Sequence, residues 1–310
     1  MTPKILITCA QMQAELPVHR ERLEAAGFEV VAPPIPGQQF SAALLAEHME
    51  NVVGVIAGDD ELNRSVFEVS SDLKVLVRWG IGMDSVDHVA AVEHDVVVRN
   101  TPGVFGGEVA DSALTYMLLL ARGHHLIDRA VRGGQWPKYE GVSMAESTVG
   151  IVGLGDIGRG IVERTLGFGM DVVGFDPHVQ ASDIPTDVSL LDNLNDLLQR
   201  SRFVVLTCPL TAETHHLING QTLNHMRPDA FLVNVARGPV VDESALVRAL
   251  STRRIAGAGL DVFETEPLPE DSPLRSCPNT ILGAHNGSNT RQGVARASRR
   301  AVDILLEELA

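Results

Sequence analysis

A predicted strand that runs through a glycine-rich turn into a predicted helix restricts the fold of this chain most. Gly153, Gly155 and Gly158 of the turn GLGDIG follow the apolar run 148–152 and open the amphipathic stretch 157–166. In such a turn the first glycine permits a tight bend, the second lets the backbone approach a pyrophosphate, and the third lets helix and strand pack closely. The motif therefore predicts a dinucleotide-binding unit, with the amides of Asp156 and Ile157 at the helix N-terminus.

An acidic residue follows at the distance that this motif requires. Asp176 ends the next predicted strand, 171–175, and lies eighteen residues after Gly158. The usual spacing is about 20, and the acid binds the ribose 2′-hydroxyl. Because a carboxylate repels a 2′-phosphate, the pattern favours NAD over NADP. The alternative is that the glycines only turn a corner and that Asp176 is a solvated strand end.

Short β-branched runs alternate with amphipathic stretches on both sides of the motif. In the first series we predict strands at 4–9, 52–57, 74–77 and 96–99, and helices at 16–26, from residue 64 after the N-cap Asn63, and at 86–94. In the second we predict strands at 148–152, 171–175, 203–206, 230–235, 256–260 and 280–282, with helices at 157–166, 193–199 and 243–252. Two long helices are predicted at 108–123 and 291–309. The alternation predicts an α/β fold of two doubly wound parallel-sheet domains around a cleft.

The charge of the chain excludes two classes of partner. Forty Asp and Glu against 25 Lys and Arg give a net charge of −15, which repels nucleic acid and anionic lipid. The longest apolar run, 113–121, is far shorter than the roughly 20 residues of a membrane span. Segment 1–16 lacks the pattern of a signal peptide, and the three cysteines are too scattered for a disulfide framework. We therefore expect a cytoplasmic protein without nucleic-acid or membrane partners.

Six segments form an ordered set of motifs. They are RWGIGMDSVD (78–87), NTPG (100–103), the glycine motif, NVARGPVVD (234–242), LDVFETEP (260–267) and HNGS (285–288). In this order they resemble the D-isomer-specific 2-hydroxyacid dehydrogenases, and within them the D-3-phosphoglycerate dehydrogenase-like members. The resemblance covers essentially the whole chain. It implies an NAD-dependent oxidoreductase that passes a hydride between nicotinamide and C2 of a small 2-hydroxy or 2-oxo acid.

The resemblance implies three catalytic residues. Arg237 would grip the substrate carboxylate, His285 would be the general acid and base at the C2 oxygen, and Glu266 would pair with His285. These residue types suit the reaction, because guanidinium binds a carboxylate through two parallel hydrogen bonds and imidazolium protonates the alkoxide that hydride addition leaves. A neighbouring Glu should raise the pKa of His285. The alternatives without a catalytic role are a surface position for Arg237, a solvated loop position for Glu266 and a buried structural position for His285.

The resemblance also implies binding residues. The amides of Gly80, Ile81 and Gly82 would bind the substrate carboxylate, since glycine permits close approach. The residues that would contact the cofactor are Thr101, Gly153, Gly155, Asp156, Ile157, Gly158, Asp176, Cys208, Pro209, Val235, Ala236, Asp261 and Gly287. Cys208 follows a predicted strand, which favours a packing role over a nucleophilic one. No His or Cys cluster accompanies Glu264 and Glu266, so no metal is predicted.

The sequence does not identify the chemical group on C3 of the substrate. Arg78 falls where some phosphoglycerate dehydrogenases place an arginine near the phosphate, and Lys138 lies in a segment that can supply a second cation. The acidic loop 58–61 would instead repel a phosphorylated or phosphonylated ligand. Two other functions fit the fold. One is a formate- or phosphite-type dehydrogenase, although the formate enzyme carries glutamine where this chain has Glu266. The other is a non-catalytic NAD(H)-binding sensor similar to transcriptional corepressors.

The two series set the predicted domain boundaries. Residues 1–100 with 284–310 would form a flavodoxin-like substrate domain, and residues 101–283 a Rossmann NAD-binding domain. By analogy with the family, two copies would pair as a homodimer through the NAD-binding domain, and the apolar helix predicted at 112–121, with Trp136 nearby, would form part of the contact. The neighbours His215 and His216 are predicted to point to opposite sides of the backbone, which favours surface positions over a joint ligand site.

Overall fold

Neighbouring strands pair in parallel throughout the computed structural model, which describes residues 2–310. Within those residues the strands form one sheet of five and one of seven, so the predicted α/β class is confirmed. The chain divides into unit 1, which runs up to Phe105 and resumes at Asn289–Ala310, and unit 2, Gly106–Ser288. Both divisions fall five residues after those we predicted. The roles assigned to the two units stay predictions.

Unit 1 is built on the five-stranded sheet, whose order is β2-β1-β3-β4-β5. Its elements are β1 (Lys4–Ile7), α1 (Ala10–Ala25), β2 (Glu29–Val31), α2 (Ala42–Ala46), β3 (Val52–Ala57), α3 (Arg64–Val69), β4 (Val75–Arg78), α4 (His88–Glu93), β5 (Val97–Asn100) and the C-terminal helix Arg291–Leu309. The C-terminal helix packs on α1, β3 and β4. The order 2-1-3-4-5 is that of flavodoxin-like sheets.

Unit 2 is built on the seven-stranded sheet, whose order is β12-β11-β10-β9-β6-β7-β8. Its elements are α5 (Gly106–Arg122), α6 (His124–Arg132), β6 (Thr148–Val152), α7 (Asp156–Gly167), β7 (Asp171–Phe175), β8 (Val188–Leu190), α8 (Leu194–Arg200), β9 (Phe203–Leu206), α9 (Gly220–Leu223), β10 (Phe231–Asn234), α10 (Glu243–Ser251), β11 (Gly257–Leu260) and β12 (Thr280–Leu282). We predicted six strands for this unit, but its sheet has seven. The strand that was not predicted is β8. This three-residue edge strand exposes its central Ser189 and therefore carries no apolar run.

Two helices depart from the prediction for local reasons. The helix predicted at 16–26 begins at Ala10, because Met12, Leu16 and Leu23 are buried on one face. Pro17 lies inside this helix, whereas a proline usually marks the first helical turn. After Gly123, which we interpreted as a helix end, the chain turns in a left-handed conformation (φ 61°) and continues as α6.

Side-chain capping and apolar burial explain most of the predicted elements. The Asn63 side chain accepts a hydrogen bond from the Ser65 amide (3.0 Å), which confirms the predicted N-cap of α3. The central strands β3, β4, β9 and β10 are almost wholly buried, as parallel strands covered on both faces should be. Among residues 2–310, every helix is too short or too polar to cross a bilayer.

Candidate active site

Three candidate site residues of unit 2 lie at the carboxyl ends of neighbouring strands. Arg237 follows β10, Asp261 follows β11 and His285 follows β12, and these strands are neighbours. Because parallel strands end on the same side, the segments after them converge there. Open parallel sheets bind their ligands beyond this edge.

His285 and Glu266 form a hydrogen-bonded pair. The two atoms, Nδ1 of His285 and Oε2 of Glu266, are 2.8 Å apart, and an ionised carboxylate only accepts, so Nδ1 donates. The other carboxylate oxygen accepts from the Phe263 amide at 2.9 Å. Glu266 is thus fixed by its own loop, and it fixes the imidazole ring with Nε2 on the side away from the carboxylate.

The backbone at His285 adopts a left-handed conformation, with φ of 50°. Such a conformation costs about 1–3 kcal/mol in a residue other than glycine, so its surroundings must hold it. The carbonyl of Asp261 accepts from the His285 amide at 2.7 Å. The buried carboxylate of Asp261 accepts from the amides of Asn286 (3.2 Å) and Gly287 (2.8 Å). Asp261 therefore anchors the turn that aims His285.

Tyr116 on α5 completes this anchor. Its hydroxyl donates to Oδ1 of Asp261 at 3.0 Å. Burial, together with the nearby charge of Asp261, raises the pKa of Tyr116, so the hydroxyl stays protonated and remains a donor. Tyr116 was not predicted as a site residue, because an aromatic residue on an amphipathic helix is usually only a core residue. The predicted contact between Asp261 and the cofactor stays a prediction.

The turn that carries Arg237 is tied to the end of β10 by Asn234. The buried Asn234 side chain accepts from the Ala236 amide (3.0 Å) and donates to the carbonyl of Arg237 (2.9 Å). Gly238 lies so close to the backbone of Phe263 that any side chain there would overlap it. The Arg237 turn therefore packs directly against the loop of Glu266. Asn234 is a positioning residue that the motif contained but that the sequence analysis did not single out.

Glu264 bonds to two neighbouring segments of the chain. Its Oε1 lies 2.9 Å from Nε2 of His216 and accepts from the Glu243 amide at 3.2 Å. The His215 and His216 rings stack with centroids 4.0 Å apart, so the prediction that they point to opposite sides was wrong. The cause is the left-handed backbone of His216 (φ 51°), which breaks the alternation. Residues 2–310 contain no group of three or more potential metal ligands.

The glycine motif forms the predicted turn between β6 and α7. Gly153 has φ of 95°, and a Cβ there would come within 2.8 Å of the Cys208 amide nitrogen. Gly155 is the N-cap of α7, and a Cβ on it would meet no atom within 4 Å, so the helix N-terminus faces open space. Asp176 accepts from the Leu154 amide (2.8 Å) and the His178 amide (2.9 Å). The exposed residues Gly155 and Asp156 at the start of this helix, beside a fixed carboxylate, suit a dinucleotide.

Cys208 packs against this turn. The side chain is buried, and burial raises the pKa of its thiol to about 11. A neutral, buried thiol is a poor nucleophile, in agreement with the predicted packing role.

The other predicted substrate-binding residues lie in unit 1 or, for Lys138, in the segment after α6 of unit 2. In unit 1, the buried Thr101 hydroxyl accepts from the Gly80 amide at 2.9 Å and so supports the Gly80–Gly82 segment. Arg78 in the same unit is ion-paired with Asp59. In unit 2, Lys138 is exposed, and its ammonium lies 6.0 Å from the centroid of the Trp136 ring. The substrate contacts predicted for Arg78 and Lys138 stay predictions.

Residues 114–287 match a sequence profile described as the NAD binding domain of the D-isomer specific 2-hydroxyacid dehydrogenases. This match spans more than half of the chain and includes the glycine motif, Asp176, Arg237, Glu266 and His285. The chain belongs to this family. It is therefore an oxidoreductase that acts on CH–OH groups with NAD(P) as the acceptor, as the sequence predicted.

Named relatives within the family differ in their substrates. A glyoxylate reductase of Thermococcus onnurineus is 36% identical over 97% of this chain and 92% of its own length. A D-3-phosphoglycerate dehydrogenase of Methanocaldococcus jannaschii is 34% identical over 94% of this chain, but this chain spans only 55% of that protein. The structure of an NADPH-dependent glyoxylate/hydroxypyruvate reductase from Sinorhizobium meliloti, in complex with NADP and malonate, has a TM-score of 0.84 and 30% identity and covers 98% of this chain and 92% of that one.

Proposed function

We propose that this chain uses NADH to reduce small, unbranched 2-oxo acids such as glyoxylate and hydroxypyruvate to the corresponding 2-hydroxy acids, with the D configuration wherever C2 is a stereocentre. The observation that carries the proposal is the His285–Glu266 pair, 2.8 Å between Nδ1 and Oε2, beside the Arg237 turn. The relatives named as glyoxylate or hydroxypyruvate reductases support the choice of substrate.

The glycine motif and Asp176 would hold the nicotinamide cofactor, which would supply a hydride to C2 of the substrate. Arg237 binds the substrate carboxylate and orients C2, because a guanidinium presents two parallel donors to a carboxylate. His285 holds a proton at Nε2 and delivers it to the C2 oxygen as negative charge develops there. Glu266 keeps the ring oriented through Nδ1 and stabilises its cationic form. In oxidation of the hydroxy acid, His285 takes the proton back.

The first test is NADH oxidation by the purified protein with glyoxylate, hydroxypyruvate, pyruvate and 3-phosphohydroxypyruvate. We expect turnover on the small unphosphorylated acids. Binding of NADH without turnover on any of these acids would contradict the proposal and would favour the alternative of an NAD(H) sensor.

The cofactor preference depends on Asp176. Like charges brought together cost several kcal/mol, so the carboxylate should disfavour the 2′-phosphate of NADPH. We expect Asp176→Asn to lower the ratio of kcat/KM for NADH to that for NADPH at least about tenfold. Asp171→Asn, at the exposed opposite end of β7, is the matched control and should leave the ratio unchanged. An unchanged ratio in Asp176→Asn would show that another residue selects the cofactor.

The predicted homodimer and cytoplasmic location remain proposals. Trp136, Val131 and Phe168 expose apolar surface on unit 2, which suits a contact with a second copy. Sedimentation as a 33.3 kDa monomer would contradict the dimer.

A further inference from the structure

The topology of unit 1 marks one place on its sheet for a ligand. From β1 the chain passes to β2 on one side and then to β3 on the other, so the strand order reverses between β1 and β3. Doubly wound sheets bind ligands beyond the carboxyl ends of the strands at this switch point. Asp59 and Asp60 follow β3 there, and Arg78 ends the neighbouring strand β4.

Asp60 fixes the loop after β3. Its fully buried carboxylate accepts from the Thr8 hydroxyl (2.5 Å), the Phe40 amide (2.8 Å) and the Gly58 amide (3.0 Å). The acid at 60 is therefore a structural anchor that joins the ends of β1 and β3. Because Asp60 is held on three sides, the place of its neighbour Asp59 is fixed as well.

Asp59 forms an ion pair with Arg78. Nη2 of Arg78 donates to Oδ1 of Asp59, and Nη1 donates to the carbonyl of Trp79. The Arg78 side chain is 5% exposed, whereas that of Asp59 is 41% exposed. The guanidinium also lies directly beneath Gly80, where a Cβ would come within 2.7 Å of Nη1. The Arg78 guanidinium is therefore on the buried side of the ion pair. A ligand at the carboxyl ends of β3 and β4 would contact the Asp59 carboxylate before it could reach the guanidinium.

This arrangement of Asp59 and Arg78 distinguishes between ligands by the charge of the group that approaches it. A phosphate group would approach the Asp59 carboxylate, and both terminal nitrogens of the Arg78 guanidinium already donate hydrogen bonds within the protein. Like charges at close range are strongly unfavourable. A hydrogen atom or a hydroxyl group carries no such penalty, and a hydroxyl can donate to the carboxylate.

We propose that Asp59, by pairing with Arg78, is the specificity-determining residue that restricts this enzyme to 2-oxo acids without phosphate on C3. The inference rests on the proposed function and narrows its substrate class. It also gives Asp59 of the acidic loop 58–61 and Arg78, for which the sequence suggested opposite effects on a phosphate, a single role as ion-pair partners.

The test is the ratio of kcat/KM for hydroxypyruvate to that for 3-phosphohydroxypyruvate. We expect the natural chain to favour hydroxypyruvate and Asp59→Asn to lower the ratio by about tenfold to a hundredfold, because the freed guanidinium then makes a charge-assisted hydrogen bond to phosphate. In the double variant Asp59→Asn/Arg78→Met, this gain should disappear. Asp72→Asn removes an exposed acid of the same unit and is the matched control, for which we expect no change.

A binding measurement gives an independent readout. Calorimetric titration of the NAD⁺-loaded protein with D-3-phosphoglycerate should show binding at least about tenfold tighter in Asp59→Asn than in the natural chain, whereas D-glycerate should show no such gain. Preference of the natural chain for the phosphorylated acid, or an unchanged ratio and unchanged binding in Asp59→Asn, would overturn the inference. If the natural chain reduced none of these acids, the proposed function would fail, and the titrations would still decide whether Asp59 excludes phosphate.

Discussion

Replacing His285 with glutamine should lower kcat for the reduction of hydroxypyruvate by about 10²- to 10⁴-fold, the usual contribution of a positioned general acid. Glutamine fills a similar volume and can still hydrogen-bond to Glu266, but it carries no transferable proton. NADH binding, measured by fluorescence titration, should change little, because the glycine turn follows β6 and Asp176 follows β7, whereas His285 follows β12. His225→Gln, at an exposed position of the same unit, is the control and should keep full activity.

A second variant, Glu266→Gln, tests the pairing between His285 and Glu266. In Glu266→Gln the carboxylate no longer stabilises the imidazolium, so we expect the alkaline limb of the pH profile for reduction to move to lower pH. A loss of structure alone would lower the rate without displacing the limb. Full activity in His285→Gln, or a pH profile of Glu266→Gln that matches that of the natural chain, would contradict the assigned roles.

Arg237→Lys should lower kcat/KM for hydroxypyruvate by about 10²-fold, even though the charge is kept. Lysine offers a point charge on a flexible stem, whereas the two parallel donors of arginine fix the orientation of the substrate carboxylate. A loss of orientation should appear in kcat as well as in KM. The measurement is steady-state kinetics at saturating NADH.

Arg253→Lys, at an exposed position after α10, is the matched control for this substitution. Equal kinetics in Arg237→Lys and the natural chain would mean that Arg237 does not bind the carboxylate through two donors. The substrate would then have to be held by other residues.

Local chemistry made the dinucleotide turn predictable from the sequence. Gly153, Gly155 and Asp176 belong to one βαβ unit, and each is required by a backbone conformation or a hydrogen bond that spans few residues. The hydrogen bond from the Leu154 amide to Asp176 shows how the spacing brings the acid back to the turn. The N-cap Asn63 was predictable for the same reason, since a capping side chain bonds to its own helix.

Contacts between residues far apart in the chain were not predictable. Tyr116 and Asp261 are bonded although 145 residues separate them, and nothing in either local sequence indicates the other. Asp59 and Arg78 have opposite formal charges, but only the topology of β3 and β4 makes them partners. The left-handed backbone of His216 likewise depends on its surroundings, so the alternation assumed for its side chain failed.

We infer that hydride passes from the cofactor to C2 of a 2-oxo acid while His285 supplies the proton. The most direct test is the reduction of hydroxypyruvate with NADH carrying deuterium at both C4 positions, followed by NMR and chiral analysis of the product. We expect D-glycerate with deuterium on C2, and loss of this product in His285→Gln. Glycerate without deuterium at C2, the L isomer, or no product from a protein that binds NADH would contradict it.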